Sequence, residues 1–247
     1  MDALQRELEY HEKLYSGFAQ KHFARPAVRA LRAHMVRRII NQTGAGPRSH
    51  ILSVGCGIGD TELLLAPHVG QITGLDLSPA AIRQGRADAD RLGIRNIRFE
   101  QGTSIQGQYD AVIAIFFLHH LPDEDLARLP SQVRDWLPPG GVFYSLDPSR
   151  ARLSGAVGRL IIPNLMRRYQ SEDERELDAE TTAALFRGSG FETVTDIYDF
   201  GSSPLAGLFP GWRTGYKLAR HLDDALLSIE ALRKRGSNFE IIAKGQH

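Results

Sequence analysis

The feature that most constrains the fold is Ser53-Val54-Gly55-Cys56-Gly57-Ile58-Gly59, three glycines at alternate positions directly after a short apolar run. Residues 50–54 read as a buried strand, 61–66 as a helix, and the glycines as the turn between them. Residues 71–77 make a second strand. Ser78-Pro79 then opens the next helix, with the serine as N-cap and the proline at the first helical position. Strands at 97–100, 109–116 and 142–146 continue the alternation, and 109–116 is nearly without polar residues, as a strand buried on both faces is. The helix at 123–137 is expected to break near Pro130, which lacks the donor an interior turn requires, and Pro138-Pro139-Gly140-Gly141 closes it. Strands alternating with helices at this interval imply an α/β, doubly wound parallel sheet with right-handed crossovers. A sixth strand at 191–198 and a last at 239–243 suggest a terminal hairpin inserted antiparallel, which makes seven strands.

Around this core lie an N-terminal helical region and two long excursions. Residues 2–41 carry Leu14, Phe18, Val28, Leu31, Met35 and Ile39 at near-helical spacing, with Pro26 dividing the region into two helices. The excursions span 148–177 and 201–236. A chain of 247 residues with this rhythm is expected to be one domain. Its parts are a helical lid (1–46), a core (47–147), the two insertions and a last strand (239–246). The net charge of +1 gives no electrostatic case for nucleic acid, so no nucleic-acid partner is expected. Cys56 is the only cysteine, which excludes an internal disulfide and a cysteine-based zinc site and fits a reducing cytoplasm; no metal site is expected. No run approaches the roughly 20 apolar residues of a membrane span, and residues 1–12 are charged where an export signal is apolar. A cytoplasmic, soluble protein is expected, with peripheral membrane contact left open.

In an open sheet of this kind, ligands sit beyond the carboxyl ends of the strands, where the strand order reverses. Gly55, Gly57 and Gly59 follow the first strand, where side chains would keep a ligand from the backbone. Asp76 ends the second, where a carboxylate can accept hydrogen bonds from a ribose diol. Loop and acid together fit either a dinucleotide or S-adenosylmethionine. Three details favour the second. Asp60 stands where the dinucleotide fingerprint has its third glycine, no arginine or lysine near the loop would neutralise a pyrophosphate, and the chain ends in the antiparallel hairpin. A nicotinamide-dependent oxidoreductase and a non-catalytic binding module that keeps the fold are the alternatives.

ILSVGCGIGD, GLDLSPAAI, YDAVIAIFFLHHLP and LPPGGVFYSLD, in that order across residues 50–147, resemble four motifs of the class I S-adenosylmethionine-dependent methyltransferases, of the broad small-molecule, type 11/12-like kind. The resemblance implies a Rossmann-like fold and S-adenosylmethionine as cofactor. It implies that Gly55, Cys56, Gly57 and Gly59 line the methionine end of the cofactor and that Asp76, with Leu77, holds its ribose. Thr103 and Ser104 would approach the adenine, and Ile115 and Phe116 would flank the methyl donor. The N-terminal segment of such proteins often folds over the cofactor, which singles out Tyr15. Two positions depart from the family pattern: Ser53 stands where an acid is usual, and Thr103 where an aspartate often meets the adenine.

Methyl transfer is an in-line displacement in which alignment supplies much of the rate, and a base is needed only if the nucleophile must lose a proton. His119 and His120, at the rim after the fourth strand, and Asp147, after the fifth, are the candidate catalytic residues; the bland alternative is a helix lead-in and a turn cap. The excursions contain apolar stretches, 160–166 and 204–212, that together would roof an apolar pocket. Arg150, Arg152, Arg159, Arg167 and Arg168 flank the first stretch, which points to a lipid-like or anionic substrate or an anionic membrane surface. Packing of the excursions on each other, or on a second subunit of a homodimer, is the competing reading. The expected function is methyl transfer to a small, partly apolar molecule.

Overall fold

A computed structural model of the chain describes residues 24–152, 176–233 and 235–245. Its centre is a seven-stranded sheet. The strands are β1 (His50–Val54), β2 (Gln71–Asp76), β3 (Ile97–Gln101), β4 (Ala111–Ile115), β5 (Val142–Pro148), β6 (Phe191–Asp199) and β7 (Asn238–Gly245). They lie in the order β3-β2-β1-β4-β5-β7-β6. The first five are parallel, and β7 runs antiparallel between β5 and β6, as the terminal hairpin implied. The order reverses between β1 and β4, which opens a crevice at the carboxyl ends of these two strands.

Alternation along the strands sends successive side chains to opposite faces. Leu52, Val54, Val112 and Ala114 join Phe143 and Phe186 in one core layer, while Ile51, Ile72, Ile113 and Tyr144 join Met35 and Ile39 in the other. The second layer is covered by α1 (Pro26–Thr43), which starts at the proline expected to divide the N-terminal region. Tyr144 donates to the buried Glu240 at 2.6 Å, and Arg38 of α1 pairs with the same carboxylate, so the ion tying helix to sheet is fully partnered.

The other helices are α2 (Glu62–Leu65), continued by a 3-10 turn Ala66–His68, then α3 (Pro79–Leu92), α4 (Asp123–Trp136) and α5 (Ala179–Gly188). The N-cap expected at Ser78 is present: its side chain accepts from the Ala81 amide at 3.2 Å. The break expected at Pro130 is absent, for α4 runs through it. Leu126, Leu129, Val133 and Trp136 are buried at helical spacing around Pro130, and this apolar seam outweighs one missing hydrogen bond. Residues 201–236 form α6 (Ser202–Leu208), α7 (Arg213–Leu227) and α8 (Glu230–Arg233). The first two pack on α1, with the Ala27 amide donating to the Pro210 carbonyl at 2.8 Å. Most of the 148–177 insertion, including Arg159, Arg167 and Arg168, lies outside the described residues, as does Tyr15.

Candidate active site

The glycine turn folds as its residue types require. Gly55, Gly57 and Gly59 have φ of 65°, 54° and 77°, the left-handed region in which a β-carbon is costly. Space is equally short: a β-carbon on Gly55 would come within 2.0 Å of the Phe117 ring, and one on Gly59 within 2.4 Å of Phe99. Asp76 locks the turn to β2. Its Oδ2 accepts from the Gly57 amide at 2.7 Å and its Oδ1 from the Ser78 amide at 2.9 Å. Each oxygen keeps a second lone pair for a ligand hydroxyl.

Beside this turn lies a cavity of about 420 Å³. Of the residues singled out from sequence, Gly55, Asp76, Leu77, Thr103, Phe116 and His120 line it. Cys56, Gly57, Gly59 and Ile115 are buried away from its wall, and Ser104 is an exposed residue beyond it. Phe117, Leu121, Leu129 and Trp136 form an apolar wall that the sequence reading passed over, although the amphipathic spacing of 126–136 was its signal. Among the described residues, none of 201–236 lines this cavity.

The two histidines of the rim face different ways. His119 is 5% exposed and turns inward, its Nδ1 2.9 Å from Oδ1 of the fully buried Asp147. A carboxylate oxygen only accepts, so Nδ1 carries a proton. The His119 backbone amide also donates to Asp147 Oδ1, at 3.3 Å. The His120 ring lies against that of His119, tilted by 39° with centroids 4.0 Å apart, and reaches the cavity wall. Phe116, just before them, is the one non-glycine residue with positive φ, at 54°, among the described residues. Its amide donates to the Leu146 carbonyl at 2.7 Å, so the strained turn is held by β5.

Two side chains from elsewhere complete the loop. Arg32 of α1 forms an ion pair with Asp60, donates to Thr61 Oγ1 at 3.2 Å, and holds its guanidinium 5.7 Å from the Phe116 ring centroid. The sequence reading found no cation near the loop; the fold brings one from a distant helix. Ser53, where an acid was expected, donates to Glu62 Oε1 at 2.7 Å, and Glu62 is 2% exposed. Burial raises the Glu62 pKa to about 7, opposed by the Ser53 hydrogen bond and assisted by Asp60. The carboxyl group beneath the loop is therefore present, nine residues further along the chain. No helix among the described residues is long and apolar enough to cross a membrane.

The family model described as "Methyltransferase domain" matches residues 52–143, the segment that builds the loop, Asp76 and the histidine rim. The chain is 29% identical over 167 residues to the ubiquinone biosynthesis O-methyltransferase of Chromobacterium violaceum, covering 60% of this chain and 71% of that protein. It is 26% identical over 132 residues to the 23S rRNA (uracil(1939)-C(5))-methyltransferase RlmD of Salmonella choleraesuis, over 53% of this chain and only 25% of that protein. In structure it resembles the DhpI-SAH complex, with a TM-score of 0.62, 16% identity, and coverage of 98% of this chain and 96% of that one. With the domain match lying on the loop and rim, residues 52–143 carry a methyltransferase domain, and the sheet built around them has the fold of the S-adenosylhomocysteine-bound neighbour.

Proposed function

We propose that the protein methylates a hydroxyl group on a small, partly apolar molecule, and that the cavity between the glycine turn and α4 holds the cofactor. The observation that carries the cofactor assignment is Asp76, which faces a cavity of about 420 Å³ with both oxygens anchored by amides and lone pairs to spare. The ribose hydroxyls would meet Asp76, and the adenine would lie against Leu121, Leu129 and Trp136. Gly55 lets the methionine portion approach the backbone, and Arg32 with Asp60 supplies charge at that end. Bound S-adenosylmethionine supplies an electrophilic methyl group on sulfonium.

His120 is the histidine positioned to take a proton from an acceptor hydroxyl, because it lines the cavity. Asp147 orients His119 beneath it, which makes those two positioning residues. A small acceptor is supported by the ubiquinone O-methyltransferase relative and by a net charge of +1, which gives RNA little to bind. Calorimetry tests the cofactor assignment: the protein should bind S-adenosylmethionine and S-adenosylhomocysteine, and should not bind NAD. An acceptor panel tests the rest. Transfer of labelled methyl to apolar phenols, with none to ribosomal RNA, is expected; the reverse pattern overturns the acceptor assignment.

A further inference from the structure

Helix α7 is turned inside out. Tyr216, Arg220 and Asp223 share one face by helical spacing, and that face is buried. Leu218 and Leu222 share the opposite face and are 63% and 60% exposed. A surface helix normally shows the reverse order. The inward charges are satisfied: Arg220 donates to the Tyr198 carbonyl at 2.8 Å, and Asp223 accepts from the Gly201 and Ser202 amides, both at 2.9 Å. The inversion is thus built into the packing, and it leaves the leucines in water. Phe209 and Trp212, in edge-on contact with centroids 6.3 Å apart, extend the apolar exposure before the helix, and Ile229 extends it beyond.

Cations outnumber free acids beside this face. Arg213 and Lys217 are exposed along the same helix. The acids between 209 and 230 are Asp223, which is buried, Asp224, which is exposed but engaged by Arg220 at 2.7 Å, and Glu230, exposed after Ile229 at the far end. Arg25 and Arg29, both exposed, bracket Ala27, whose amide bonds Pro210 just before Trp212.

We propose that the outward face of α7, with Phe209 and Trp212, docks on the surface of an anionic phospholipid bilayer. An apolar stripe with aromatic residues at one end and cations along its flank is what an interfacial helix presents to acyl chains and anionic headgroups. A second copy of the chain fits less well, because pairing this face with itself would bring two sets of the same cations together. The proposal is independent of which acceptor the enzyme uses.

Sedimentation of the whole protein with vesicles provides the test. Binding is expected to vesicles of phosphatidylcholine mixed with an equal amount of phosphatidylglycerol, with much weaker binding to phosphatidylcholine alone, and it should fall as salt is raised. Leu218→Glu with Leu222→Glu should abolish it, and Lys217→Glu should weaken it by about fivefold or more. S-adenosylhomocysteine affinity should be unchanged in both variants, which shows that the fold is kept. No binding to the anionic vesicles, or equal binding by the double leucine variant, overturns the proposal. So does a dimer in solution that the same double variant dissociates, which would give this face to a second copy.

Discussion

Ser53 donates a 2.7 Å hydrogen bond to Glu62 in the interior beneath the glycine turn, and the carboxyl group it meets has its pKa raised to about 7, chiefly by burial. Because the folded value lies above the ordinary 4.5, Glu62 favours the folded state most below pH 4.5, and that contribution is lost as pH rises to about 7. Glu62→Gln keeps an acceptor for Ser53 without the ionisation. Relative to the parent, it should gain stability across that window, by on the order of 3 kcal/mol at the upper end. Denaturant melts at pH 4.5 and pH 8 measure this directly; parallel stability curves would show that Glu62 stays ionised.

Gly55 carries two constraints that can be separated. Gly55→Ala meets both a positive φ and the Phe117 ring, whereas Gly44→Ala meets a φ of 68° with nothing within 4 Å. Gly44→Ala should cost about 1–2 kcal/mol, the backbone penalty alone. Gly55→Ala should cost more and also lower S-adenosylhomocysteine affinity, since Phe117 is part of the cavity wall. Melting curves and calorimetry on the two variants make the comparison, and equal losses would mean that Phe117 moves aside freely.

Asp76→Ala removes the acceptor of two backbone amides and the proposed ribose contact together. Cofactor affinity should fall by about 1–3 kcal/mol. Asp76→Asn, which can accept but is uncharged, should fall between the parent and the alanine variant. Affinity unchanged in both would remove Asp76 from the binding site.

The histidine rim predicts a split between binding and turnover. His120→Ala should leave S-adenosylhomocysteine affinity near that of the parent and reduce methylation of a hydroxyl acceptor by about 100-fold or more. Asp147→Asn, which loosens His119 without touching the cavity, should reduce turnover by about tenfold or more. Single-turnover assays with labelled cofactor give both numbers. Full turnover in His120→Ala would mean that the acceptor reacts without a base.

Much of the fold was legible because its signals are local. The apolar runs of β1 and β4, the glycines between β1 and α2, and the Ser78-Pro79 helix start each follow from side-chain period or turn chemistry within a few residues. Asp76 was legible for the same reason: it ends a strand whose place beside the loop follows from the alternation. Pro130 misled because its local penalty is real, but four buried apolar neighbours outweigh it.

The sequence by itself determined the parallel core, the antiparallel end, the glycine turn and the acid that ends the second strand beside it. Tertiary structure alone decided which carboxyl group lies under that turn, because Ser53 and Glu62 meet only once the loop between them folds back. It alone brought Arg32 to Asp60, and turned His119 inward to Asp147 while leaving His120 at the cavity. The same holds for α7. Helical period shows that Leu218 and Arg220 lie on different faces, but which face is buried depends on partners elsewhere in the chain. The carbonyl of Tyr198 and the amides of Gly201 and Ser202 supply them, and with those hydrogen bonds made, the polar face packs inward and the leucines face out.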